Sequence, residues 1–168
     1  MSNSLIFLTS EDFSIQAGKK GQVLCTTIPG VSFILFYSNQ CPHCGDVIDN
    51  FKKLPQIVPG SKFGLVNVSN NKQVAIMSQQ TVSPITYVPF IVLFVNGRPF
   101  MIYNGQKTTR EMAGFVYEVV TRINQKKNFV TISESDTDPV EYIGGVIPFN
   151  VVCEGEQCYL NFGDAYKK

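Results

Sequence analysis

Phe33-Ile34-Leu35-Phe36-Tyr37, then Ser38-Asn39-Gln40, then Cys41-Pro42-His43-Cys44: this stretch sets the reading of the whole chain. Five consecutive apolar residues, strand-sized and rich in aromatic side chains, suit a β-strand buried on both faces. Ser38, Asn39 and Gln40 offer cap chemistry, and Val47, Ile48, Phe51 and Leu54 then recur at helical spacing until Pro55 closes the segment. Residues 63–68 read as a second strand and residues 71–80 as a short helix. The run Phe90-Ile-Val-Leu-Phe-Val95 is a further strand that turns at Asn96-Gly97, a strong two-residue hairpin signal, into residues 100–103. Thr108-Thr-Arg-Glu111 forms a capping box ahead of Met112, Phe115, Val116, Val119, Val120 and Ile123, an apolar stripe at i, i+3, i+4 and i+7. The order β-α-β-α-β-β-α predicts an α/β fold. Its parallel part needs crossover helices and its closing hairpin is antiparallel, so the sheet is mixed, with helices on both faces.

Outside this region the signals thin out. Residues 5–8 read as a strand, residues 18–21 as a Gly/Lys turn and residues 22–28 as another strand. Residues 133–138 are polar and acidic, and residues 140–162 are β-prone. The chain is therefore divided into a domain over residues 1–127 and an extension over residues 128–168, an acidic linker followed by a β-hairpin. Composition narrows the function classes. The chain has 168 residues, a net charge of +1, 44% hydrophobic and 16% charged residues, which suits one packed domain rather than a disordered chain or a coiled coil. Near-neutral charge without a basic stripe removes the electrostatic case for nucleic-acid binding. The longest apolar runs are strand-sized, so no membrane span is expected. The N-terminus lacks a basic region and soon meets Glu11 and Asp12, which does not read as a signal peptide; a cytoplasmic location follows as the expectation.

Five cysteines, an odd number, are too few for a disulfide scaffold and suggest a reducing compartment with local redox chemistry. Cys41 and Cys44 are the sharpest signal. A cysteine where a buried strand hands over to a helix meets the helix's unpaired N–H groups and macrodipole, which favour a thiolate. Cys44 falls one turn later on the same face, where it can resolve a mixed disulfide. Pro42 suits a first helical turn, since it lacks a donor that would be unpaired there. His43 adds positive charge beside a thiolate when protonated and a hydrogen-bond donor when neutral. Two other readings stand beside this one: half of a zinc site completed by Cys153 and Cys158, or a pair of buried structural thiols. His43 is the only histidine, which leaves no spare imidazole for a His-based hydrolase.

With Cys41-Pro42-His43-Cys44 after an apolar strand, Val88-Pro89-Phe90 opening another, then Asn96-Gly97 and Tyr103-Asn-Gly105, the chain resembles the thioredoxin superfamily over residues 31–125. The resemblance implies a thioredoxin-like mixed sheet, here with a C-terminal β-rich extension. It also implies that Pro89 is cis and lies against the active-site disulfide, with Val88 offering backbone groups to an extended substrate. The Cys-Pro-His-Cys centre is similar to that of bacterial periplasmic dithiol oxidases, so Pro42 and His43 are expected to make the couple more oxidising than a Gly-Pro centre. About 45 residues separate Cys44 from Pro89, too few for the helical insertion of those oxidases. The architecture is thus closer to thioredoxin or a protein disulfide isomerase domain. Where thioredoxin has a buried Asp and a Lys that handle protons, this chain has Leu35 and Leu65. Gln40 replaces the usual Trp, and Asp49 replaces the helix-kinking Pro. Asp49 is expected to be a solvated helix residue, with assistance to Cys44 as the alternative.

In the extension, Cys153-Glu-Gly-Glu-Gln-Cys158 lies between β-prone residues 147–152 and 159–162. A hairpin with a four-residue loop would set the two cysteines opposite each other. They read as a structural disulfide, as two nearby thiols, as a relay pair feeding Cys41, or as zinc ligands. Cys25 reads as a small core residue. Tyr142, Ile143, Phe149, Tyr159 and Phe162 need burial, so residues 140–162 either fold back on the domain or bind an assembly partner. The leading expectation is a thiol–disulfide oxidoreductase acting on protein thiols and disulfides through Cys41 and Cys44, with no cofactor and no metal. The alternative is a non-enzymatic thioredoxin-fold module of a larger assembly, for example a virion component. A glutathione-dependent glutaredoxin is a weaker fit, because Val88 stands where that family has Thr.

Overall fold

The computed structural model describes residues 5–127, 151–154 and 157–160. Its elements run in the order β1 (Leu5–Leu8), β2 (Phe13–Ala17), β3 (Gln22–Thr26), β4 (Val31–Tyr37), α1 (Cys44–Phe51), α2 (Leu54–Ile57), β5 (Lys62–Asn67) and α3 (Lys72–Ser78). Then come β6 (Tyr87–Val88), β7 (Phe90–Val95), β8 (Arg98–Tyr103), α4 (Thr109–Lys127), β9 (Val151–Glu154) and β10 (Gln157–Leu160). The main sheet has the order β1-β5-β4-β7-β8. Strand β4 lies at its centre, parallel to β5 with Leu35 opposite Leu65, and antiparallel to β7 with Phe36 opposite Phe90. Strand β1 runs parallel to β5, and β8 closes the other edge antiparallel to β7. This is the mixed sheet expected from the order of elements.

Period-two alternation along β4 explains why its run is apolar throughout. Phe33 and Leu35 enter one core with Val47 and Phe51 of α1, Leu54 of α2, and Met112 and Val116 of α4. Ile34 and Phe36 enter the opposite core with Val74 and Ala75 of α3, Phe13 of β2 and Leu24 of β3. Helices thus cover both faces, and a strand with no solvent side needs no polar alternation. The β7–β8 turn uses Asn96 at φ 52° and Gly97 at φ 84°, the left-handed pair that matches the twist of a tight hairpin. Gly97 also accepts a hydrogen bond from the Thr26 amide at 2.7 Å, and any Cβ there would drive into the Thr26 carbonyl oxygen. Asn96 ties the turn to the start of β4, since the Gly30 amide donates to its Oδ1 at 2.9 Å.

Two local expectations need correction. Pro55 does not close the helix that carries Phe51. Helix α1 ends at Phe51, and Pro55 lies in the first turn of a separate short helix, α2. A proline suits the start of a helix as well as the residues past its end, because first-turn amides lack intrahelical partners anyway. Strand β2 is an addition: it pairs antiparallel with β3, Phe13 opposite Thr26 through Ala17 opposite Gln22. Of its five residues only Phe13 is buried, so its alternation gives a weak signal.

In the extension, β9 and β10 form an antiparallel hairpin with Cys153 opposite Cys158 and Glu154 opposite Gln157. Pairing therefore continues one step beyond the cysteines. Strand β10 is also antiparallel to β6, with Cys158 opposite Val88 and Tyr159 opposite Tyr87. Together they make a second sheet of order β6-β10-β9. The acidic linker and Tyr142, Ile143, Phe149 and Phe162 lie outside the described residues, as do the side chains of Cys153, Cys158 and Tyr159.

Candidate active site

The site is built where the central strand ends. Beyond Tyr37 the chain turns, and the Cys41 amide donates to the Ser38 carbonyl at 3.2 Å. A second turn follows, in which the Cys44 amide donates to the Cys41 carbonyl, also at 3.2 Å. Helix α1 therefore begins at Cys44, with His43 at its N-cap and no side-chain cap bond. The expectation that Cys41 opens the helix shifts accordingly: Cys41 sits in the turn just ahead of it. Pro42, which has no amide to donate, lies inside that turn. Ser38 is likewise not the cap of α1. Its hydroxyl instead accepts from the Gln40 amide at 3.1 Å.

A polar bracket ties this turn to the C-terminal end of β5 and the residues just past it. The Asn39 amide donates to Ser69 Oγ at 2.9 Å, and the Ser38 and Ser69 hydroxyls share a hydrogen bond of 2.9 Å. Asn67 Nδ2 donates to Asn39 Oδ1 at 3.0 Å, and Asn67 Oδ1 accepts from the Ser69 amide at 3.0 Å. Ser69 and Asn67 are residues that sequence reading passed over. They lie some thirty positions away from the motif they brace, and no local pattern marks such a contact.

Cys41 and Cys44 are joined in a disulfide with their Cα atoms 5.4 Å apart, within the usual span for such a bond. Cys44 is buried and Cys41 is only 5% exposed, whereas Pro42 and His43 are exposed to solvent. The Val88 carbonyl oxygen lies 3.9 Å from Cys41 Sγ, and the Val88–Pro89 peptide bond is cis. Val88, Cys41 and Cys44 share one core cluster with Tyr87 and Phe90. Tyr87 is fixed at both ends, its ring 5.1 Å from that of Phe90 and its hydroxyl donating to Asn104 Oδ1 at 3.0 Å. The fold thus brings Cys41, Cys44, Val88 and Pro89 to one place, although more than forty residues separate the two motifs.

Other residues singled out in the sequence fall elsewhere. Leu35 and Leu65 are buried opposite each other on the sheet face covered by α1 and α4. Asp49 and Gln40 are exposed. Cys25 is buried in β3, its thiol 3.9 Å from the Val23 carbonyl oxygen. Among the described residues, no three His, Cys, Asp or Glu side chains converge as a metal site would require. Among the same residues, no helix is long and apolar enough to cross a membrane.

The sequence profile of the family described as Thioredoxin matches residues 26–118, the span holding both motifs. The chain belongs to the thioredoxin family. Similarity to two viral proteins extends past that span. The chain is 35% identical over 137 residues to uncharacterized protein 196R of Invertebrate iridescent virus 6, covering 80% of this chain and 74% of that protein. It is 30% identical over 173 residues to uncharacterized protein 020R of Invertebrate iridescent virus 3, covering 99% of this chain and 98% of that protein. Among solved structures, human ERp44 in crystal form II superposes with a TM-score of 0.53 at 17% identity, covering 70% of this chain. This thioredoxin-family chain spans only 30% of the ERp44 chain, so that likeness concerns the fold alone.

Proposed function

We propose that this protein exchanges disulfides with protein thiols through Cys41 and Cys44. The observation that carries the reading is the Cys41–Cys44 disulfide set directly against the Val88 carbonyl, at the strand edge that leads into Pro89. A client thiolate attacks Cys41 Sγ, the Cys41–Cys44 bond breaks, and Cys44 leaves as a thiolate that takes up a proton. A second client thiolate then attacks the client sulfur of the mixed disulfide. The client disulfide forms and Cys41 is released. In the reverse direction Cys44 resolves the mixed disulfide. Val88 and Pro89 hold the client by β-strand addition, main chain to main chain, once β10 yields the position opposite Val88 that it fills in the resting chain. Pro42 and His43, exposed between the two sulfurs, bias the couple toward oxidation of clients. The iridescent-virus relatives support a viral setting, either in the cytoplasm or packaged in a particle.

A second reading, a thioredoxin-fold module without turnover, is favoured by Leu35 and Leu65. These buried apolar side chains can relay no proton to the cysteines. Insulin reduction and dithiol oxidation, each with Cys41→Ser as control, separate the two. Turnover that disappears with Cys41 supports exchange. Wild-type inactivity in both assays, with the chain stably incorporated in particles, supports the module.

A further inference from the structure

A thioredoxin-type site needs an open strand edge beside its disulfide, and here the chain supplies its own strand. Strand β10 is paired antiparallel to β6, with Cys158 directly opposite Val88. Val88 is the residue whose carbonyl lies 3.9 Å from Cys41 Sγ. On the other side of β10, Cys158 is directly opposite Cys153. Two backbone registers therefore converge on one residue: Cys158 faces a second cysteine across one ladder and the edge of the disulfide site across the other. Directly opposed residues in antiparallel pairs have Cβ atoms about 4.5–5.5 Å apart, close to the span a disulfide bridges. A plain plug for the β6 edge would need neither cysteine.

We propose that the C-terminal hairpin is a built-in exchange partner, with Cys153 and Cys158 forming a second redox pair that trades its electrons with Cys41 and Cys44. The inference rests on the exchange chemistry proposed above. In the first step the Cys158 thiolate attacks Cys41 Sγ, the Cys41–Cys44 bond breaks, and Cys44 leaves as a thiolate. In the second the Cys153 thiolate attacks Cys158 Sγ, closing the Cys153–Cys158 bond and releasing Cys41. Two electrons pass from the tail pair to the domain pair. The two protons lost by Cys153 and Cys158 are regained by Cys41 and Cys44. The domain pair thus takes up oxidising equivalents at Cys41 and Cys44 and passes them on to the tail pair.

The test uses the full chain carrying Cys44→Ser and Cys153→Ser, equilibrated with a glutathione redox buffer, then alkylated and digested without reduction for mass spectrometry. A Cys41–Cys158 linked peptide is expected in most molecules. A second chain carries Cys44→Ser, Cys153→Ser, Cys158→Ser and Gln157→Cys, which keeps the tether but moves the thiol one register position. Its link to Cys41 is expected to be roughly tenfold scarcer, because register rather than tethering sets the effective concentration. Equal linkage in the two chains overturns the proposal. So do glutathione adducts on Cys41 and Cys158 without linkage, although Cys41 would then still be exchanging. If Cys41 takes up neither glutathione nor the link, exchange itself fails and this proposal falls with it. A measurement on the unmodified chain guards against misfolded variants. From the fully reduced protein, glutathione disulfide should close Cys153–Cys158 roughly tenfold faster than in a Cys41→Ser/Cys44→Ser chain. Equal rates contradict the relay.

Discussion

Replacing Phe33 and Phe36 separately by Leu asks whether the two faces of the sheet are energetically distinct and whether only one of them serves the disulfide. Both side chains are completely buried on β4. Phe33 packs against the rings of Phe51, Phe63, Tyr103 and Phe115 at centroid distances of 5.6, 6.3, 5.8 and 5.8 Å. Phe36 packs against Phe13 at 5.6 Å and Phe90 at 6.2 Å. Leucine retains much of the apolar volume, so the lost ring–ring attraction dominates the difference. At about 0.5 kcal/mol per ring pair, F33L costs about 2 kcal/mol and F36L about 1 kcal/mol. Urea denaturation with an unchanged slope reads both values. The functional order is the reverse. Phe36 shares a cluster with Cys41, Cys44 and Val88, and Phe33 does not. The rate at which glutathione opens the Cys41–Cys44 disulfide should therefore change in F36L and stay at the wild-type value in F33L. A larger stability loss in F36L, or an altered exchange rate in F33L alone, would refute this partition.

Three further perturbations follow from the same geometry. Gly97→Ala places a side chain at φ 84° and against the Thr26 carbonyl, and should lower stability by about 3 kcal/mol in thermal or urea unfolding. Ser69→Ala removes the acceptor of the Asn39 amide and the partner of the Ser38 hydroxyl. It should cost about 2 kcal/mol and speed hydrogen exchange at Asn39 before that of β4. Tyr103 is pushed up to about 12, first by burial and then by the Glu111 carboxylate. Its phenol therefore resists ionisation in the native state while the unfolded chain ionises near pH 10. The stability is present below pH 10 and is lost between pH 10 and 12, by about 3 kcal/mol at most. Tyr103→Phe, which gives up the hydrogen bond to the Gln106 carbonyl, should flatten that alkaline fall in pH-dependent urea titrations.

The parts of this fold that were legible in the sequence are those written in local pattern. The apolar run of β4, the Asn96-Gly97 turn and the Thr108 cap, whose hydroxyl accepts from the Glu111 amide at 3.2 Å, each declare themselves within a few residues. Cys41, Cys44, Val88 and Pro89 were found the same way, as two short motifs, and their convergence needed the resemblance to the thioredoxin superfamily. Long-range backbone pairing was not legible. Strand β6 is two residues long, below the length at which alternation can be seen, and its pairing with β10 depends on residues some seventy positions apart. Pro55 was misread because one residue type both ends and begins helices. The Ser69 bracket was missed because a serine hydroxyl reaching another loop leaves no periodic trace.

The most direct test is the reduction potential of the Cys41/Cys44 couple in the full chain, measured by equilibration with glutathione and disulfide mapping. The account requires a reversible two-electron couple well above the roughly −270 mV of thioredoxin. A value at or below that figure would contradict the oxidising role assigned to Pro42 and His43. A pair that never opens under reducing glutathione would contradict disulfide exchange altogether.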